Sequence, residues 1–128
     1  MLLLLVGKII KIQKMNIEIF KTKLKETPTE VNFSETMSTV EENYNFIATA
    51  FKNGDLENEA GQNSGSCKLF AFAKLQKLTK EETLACFGQY YFDEVLKDPN
   101  GTGHQNIRNF MNTGFDGLSF DGEPLNKK

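Results

Sequence analysis

The chain has 128 residues, 39% apolar and 25% charged, with a formal net charge of −2. That length suits one domain and leaves too little chain for two cores. The charge balance lacks the basic surplus that draws a protein to nucleic acid or an anionic membrane, so neither is expected as a partner.

The first 14 residues read MLLLLVGKIIKIQK. Leu2–Val6 is apolar, but no basic segment precedes it and Lys8 breaks the run. A secretory signal would need a basic segment, roughly 7–15 apolar residues and a small-residue cleavage site. A membrane span would need about 20 apolar residues. Residues 1–14 are therefore expected to be a disordered extension, or one read from upstream of a true start at Met15. A single domain is expected over 15–126.

Asn16–Thr27 predicts the first helix. Ile17, Phe20 and Leu24 share one face of a 3.6-residue period. Pro28 ends it, because proline disfavours the helical region in the residue before it. Phe33, Met37, Val40 and Tyr44 predict a second helix, capped by Asn32 or Ser34. Asn53-Gly54 predicts the turn of a hairpin near 46–59, since both residues tolerate positive φ. Its arms would be Phe46–Lys52 and Asp55–Glu59. Gly61–Gly65 reads as a loop, and Ser66 as the cap of a third helix. There Cys67, Leu69, Phe70, Ala71, Phe72, Ala73, Leu75 and Leu78 are apolar almost all round, as in a central buried helix.

Thr79 and Glu82 form a capping box for a fourth helix. Its buried stripe would be Leu84, Phe87, Tyr91 and Val95, ended by the turn Asp98-Pro99-Asn100-Gly101. His104–Thr113 predicts a fifth helix, with Gly114 as its stop. Phe-Asp-Gly occurs twice, at 115–117 and 120–122, and Leu118 and Phe120 alternate with Ser119, which predicts a strand and turn near 115–122. The expected fold is one compact α+β domain, mainly helical, with about five helices, a short hairpin and a C-terminal strand element.

Two Cys and one His are too few for a disulfide framework or a four-ligand zinc site. No metal and no cofactor is expected. Cys67 and Cys86 read as buried thiols of a reducing cytoplasm. Cys67 has a second reading, because a thiol at a helix N-terminus can have a lowered pKa. With Gln62 upstream and His104 downstream it partly resembles a papain-type arrangement. Lys68 stands where that arrangement has an aromatic residue, and the histidine follows too soon in sequence.

The Gly61–Gly65 loop could offer backbone N–H groups to an anion, though it lacks the P-loop spacing. His104, Gln105, Asn106, Arg108 and Asn109 form a dense polar run. They either hydrogen-bond internally or floor a pocket in which Arg108 grips a carboxylate or phosphate. Asn58, Gln62, Asn63 and Ser66 would line the other side, which requires His104 and Asn63 to meet in space. Glu41-Glu42 and Glu81-Glu82 read as solvated helix faces. Glu35 reads as a helix-start cap or a partner for Arg108.

Several stretches together resemble the HopJ type III effector family. They are Phe33-Ser34-Glu35-Thr36-Met37, Ala50-Phe51-Lys52-Asn53-Gly54, and Ala60 through Lys68 (AGQNSGSCK). Cys86-Phe87-Gly88-Gln89-Tyr90-Tyr91 and His104-Gln105-Asn106-Ile107-Arg108-Asn109-Phe110-Met111 complete the set. They run in order from about Phe20 to Leu125, and residues 1–14 lie outside. The chain departs at Ile47-Ala48-Thr49, where the family usually has Thr-Pro-Thr, and at Gly114-Phe115, where it has Gly-Trp.

The resemblance implies a bacterial protein injected into host cells by a secretion machine; it brings no catalytic residues or cofactor. The expected function is that of a small effector binding a host or bacterial protein, or a small anionic ligand. It would sit in the cytoplasm, or enter a host cell where a type III system is present. The alternatives are an enzyme of cysteine-hydrolase type around Cys67, His104 and Arg108, and a cytoplasmic housekeeping domain.

Overall fold

The computed structural model describes residues 16–128. The proposed extension 1–14 and start at Met15 lie outside them. Helix α1, Ile17–Glu26, begins where the Asn16 side chain accepts hydrogen bonds from the N–H groups of Glu18 and Ile19. It stops ahead of a 3₁₀ turn at Pro28–Glu30. Helix α2, Phe33–Asn43, opens with a reciprocal capping box between Asn32 and Glu35. Glu35 also accepts from Lys23 at 2.7 Å, tying α2 to α1. Its expected partner, Arg108, is engaged elsewhere.

Strand β1 (Tyr44–Phe46) pairs antiparallel with β5 (Leu125–Lys127), the last strand of the chain. A second sheet has the order β3-β2-β4, from β2 (Phe51–Asn53), β3 (Leu56–Asn58) and β4 (Leu118–Phe120). The hairpin is therefore shorter than expected, and Phe46 belongs to the other sheet. Its turn also sits one residue later. Asn53 pairs with Leu56, leaving Gly54-Asp55 as the loop. Of that pair only Gly54 has positive φ, at 63°, which suits a two-residue turn with glycine first. A one-residue shift exchanges the faces of a strand. Here it turns Asn53 inward, where it is fully buried.

Helix α3, Ser64–Leu75, starts two residues before Ser66; its N-cap is Asn63 in the left-handed region at φ 51°. Its stop is left-handed too. Lys77 has φ 54°, and the Leu78 N–H donates to Ala73 O. Leu78 is buried beyond the helix end, whereas Leu75 is 53% exposed, so α3 is not apolar all round.

The expected fourth helix is broken. Helix α4, Lys80–Ala85, begins at the Thr79–Glu82 capping box. A turn follows, and Tyr90–Val95 then winds as a π-helix. The break is imposed by packing on α2. Gly88 has φ 58°, and a Cβ there would lie 2.6 Å from the Phe33 nitrogen and 2.7 Å from Asn32 Cα. Thr36 Oγ1 donates to Cys86 O at 2.7 Å, and the Phe33 N–H donates to Gln89 Oε1 at 3.0 Å.

Helix α5, Gln105–Thr113, also follows a left-handed cap, His104 at φ 55°. Gly114 stops it, and a 3₁₀ turn at Gly114–Gly117 leads into β4. Phe70 of α3 sits at the centre of the core. Its ring centroid lies 4.9 Å from Phe110, 5.4 Å from Phe87 and 6.2 Å from Phe51. The observed architecture is a mainly helical α+β fold. Among the described residues no helix is long and apolar enough to cross a membrane.

Candidate functional site

The first turns of α3 and α5 face one cavity of ≈ 490 Å³. Asn63, Gly65 and Ser66 reach it from α3; His104, Gln105, Asn106 and Ile107 reach it from α5. His104 and Asn63, far apart in sequence, thus meet at one site. Neither helix has a side-chain cap, and neither has an acidic residue in its first turn. The first N–H groups of a helix have no partner within it. Each N-terminus carries roughly half a positive charge from the aligned peptide dipoles. Here two such ends converge.

The opposite wall is apolar. Phe33 stacks on Phe87 at 6.2 Å with planes 11° apart, and meets the edge of Tyr90 at 5.3 Å. Leu56 of β3 adds to it. Gly65 lets α3 approach this wall, since a Cβ there would lie 3.0 Å from Phe33 Cζ. The His104 ring lies 5.4 Å from that of Tyr90, and its Nε2 is 3.0 Å from Glu94 Oε1. The π-helix supplies both Tyr90 and Glu94.

Behind the polar wall runs a chain of asparagines. Asn63 Nδ2 donates to Asn58 Oδ1 at 2.7 Å, and Asn106 Nδ2 donates to the same oxygen at 3.0 Å. Asn53 Nδ2 donates to Asn106 O at 2.8 Å and to its Oδ1 at 3.0 Å. Asn53, Asn58 and Asn106 are buried. A buried amide without partners would cost about 1–3 kcal/mol, so the network holds the start of α5 against the hairpin. Asn53 Oδ1 is the one buried side-chain polar atom found without a partner among the described residues.

Of the residues singled out in sequence, Asn63, Ser66, His104, Gln105 and Asn106 line the cavity, with Asn58 one hydrogen bond behind. Arg108 does not. Its Nε donates to Gly103 O and its Nη1 to Asp98 O at 2.8 Å, so the guanidinium clamps the 98–103 loop. Gln62 accepts from the Glu59 N–H in an exposed loop. Asn109 Nδ2 donates to Asn53 O and so joins α5 to the hairpin. Glu41 pairs with Lys68 at 3.2 Å.

Cys67 lies outside the cavity lining, 1% exposed, with its thiol 3.6 Å from Thr49 O. Burial pushes its pKa up from 9.0 to about 11, outweighing the Thr49 contact and nearby Lys68. Cys67 also lies a turn inside α3, its N–H bonded to Asn63 O, so the expected helix-start activation is absent: the thiol keeps its proton and is no nucleophile. Cys86 is shifted up still further, again by burial. The aromatic wall was missed in sequence, because Phe33 and Phe87 read simply as core positions of two helices and Tyr91, not Tyr90, was placed on the buried stripe. Asn53 was missed because Asn-Gly reads as a turn.

The sequence matches the model of the HopJ type III effector protein family over residues 17–125. No curated protein matches it. Among solved structures, the crystal structure of the unknown-function protein VPA0580 has a TM-score of 0.88 and 47% identity, over 90% of this chain and 96% of that one. The chain belongs to the HopJ type III effector protein family.

Proposed function

We propose that the protein binds a small anionic ligand in the cavity between the starts of α3 and α5. The ligand sets one negatively charged or strongly accepting group against the free N–H groups. Its flat apolar part rests on Phe33, Phe87 and Tyr90. The supporting observation is the convergence of two uncapped helix N-termini opposite an aromatic wall. The volume is within the usual range for small-molecule sites. No Lys or Arg lines it. Two helix ends together offset roughly one negative charge, which favours a single carboxylate over a polyphosphate.

Amide chemical shifts test this with benzoate, benzamide, phenyl phosphate and acetate. Benzoate should move the resonances of Ser64–Ser66 and Gln105–Ile107 together. Arg108→Ala should leave that response intact, because Arg108 points elsewhere. Shifts confined to Arg108 and its loop, or none with any probe, would reject the reading.

In line with the family description, this binding takes place in the cytoplasm of the producing bacterium or of a host cell reached by secretion. A translocation reporter fused to the full chain tests delivery. Reporter signal that does not depend on a working type III apparatus would reject it.

A further inference from the structure

The chain contains two Asn-Gly dipeptides, Asn53-Gly54 and Asn100-Gly101. Such a pair is prone to loss of the asparagine amide, because glycine leaves its backbone nitrogen unhindered and its torsions free. That nitrogen gives up its proton to solvent and attacks Cγ, forming a C–N bond. The Cγ–Nδ2 bond breaks and the amide leaves as ammonia. Water then opens the cyclic imide at either carbonyl, giving aspartate or isoaspartate. The net change is asparagine plus water to an acid plus ammonia, with no redox partner.

The two sites stand in opposite surroundings. Asn53 is fully buried, within β2. Its amide donates to Asn106 O and Oδ1, and its carbonyl accepts from Asn109 Nδ2 at 2.9 Å. The attacking nitrogen, on Gly54, donates its proton to Gly117 O at 2.9 Å. Attack on Cγ needs that proton gone and the extended backbone rotated, so all these contacts must break first. Asn100 is exposed. The Gly101 N–H is held by Asp98 O at 3.0 Å within its own turn; Arg108 grips the loop at Asp98 O and Gly103 O, and these bonds engage neither the Asn100 amide nor the Gly101 nitrogen.

We propose that Asn100 deamidates in the folded protein, whereas Asn53 is locked by the β3-β2-β4 sheet and reacts only when that sheet opens. Conversion at Asn53 then permanently retires chains that have unfolded. An aspartate at 53 sets a carboxylate against the two oxygens of Asn106 and removes their donor. An isoaspartate adds a backbone atom to β2 and shifts its register. Neither product rebuilds the asparagine network behind the cavity's polar wall. At Asn100 the new charge faces water and the fold persists.

The full chain is incubated at mildly alkaline pH, native and in urea, and both dipeptides are followed by peptide mass spectrometry. In urea the two should convert at similar rates. In the native protein Asn100 should convert while Asn53 is slower by at least about tenfold, since its reaction waits on a rare opening. Equal native rates, or an Asn53 that stays intact in urea, would overturn the proposal. In a second measurement the urea-treated chains are refolded and the native fraction is isolated by size. It should contain chains altered at 100 but be depleted of those altered at 53. Chains altered at 53 that regain the unaltered melting temperature would refute the one-way step.

Discussion

Cys67 shows how burial outweighs position. It lies in the first stretch of α3, one turn from the free N–H groups, yet enclosure by apolar neighbours raises the pKa to about 11. The folded protein should resist iodoacetamide at neutral pH and react at Cys67 only once unfolded, as read by mass spectrometry. The thiol binds its proton more tightly folded than unfolded. Its contribution to stability is therefore complete below the unfolded pKa near 9.0 and lost as pH rises through about 11. In Cys67→Ser, denaturation midpoints measured across that window should fall less with rising pH than in the unaltered chain. Asn106 makes the complementary point. Removing its side chain in Asn106→Ala leaves the Asn53 and Asn58 amides short of acceptors. Chemical denaturation should show a loss of about 2–3 kcal/mol.

The π-helix is the element the sequence concealed. Leu84, Phe87, Tyr91 and Val95 fit one helical stripe, and the capping box at Thr79 and Glu82 is real. Nothing local says that the helix must stop at Ala85. Gly88 marks the place, but a glycine within a helical pattern is common enough to pass. The contact with the start of α2 decides it, because only glycine fits against Asn32 and Phe33 there. Gly88→Ala combines left-handed strain with a backbone clash. It should cost more than about 2 kcal/mol, measured by thermal denaturation. It should also displace Phe33 and Tyr90, and so weaken binding in the cavity. π-Helical segments are frequent at functional sites, and this one supplies Tyr90 and Glu94.

At the scale of the whole molecule, Phe70 joins the helices to the β2 sheet through its contacts with Phe51, Phe87 and Phe110. Phe70→Ala should lower stability by about 3–5 kcal/mol, seen as a lower denaturation midpoint. The faces of α1 and α2, the caps at Asn32 and Thr79, and the stops at Pro28 and Gly114 were legible in the sequence, because they depend on neighbours three or four residues apart. So were the α+β class and, as candidates, the Asn, Gln, Ser and His residues of the cavity lining. Sequence alone put Asn63 in the loop before the third helix, Ser66 at its cap, and His104, Gln105 and Asn106 at the start of the fifth, since polar residues gather where a helix leaves backbone groups unpaired. Only the tertiary structure brought those two starts to one cavity, walled it with Phe33, Phe87 and Tyr90, and turned Arg108 away. It also moved the hairpin turn by one residue and so buried Asn53. Those outcomes rest on contacts between residues tens of positions apart, which close only when the core packs.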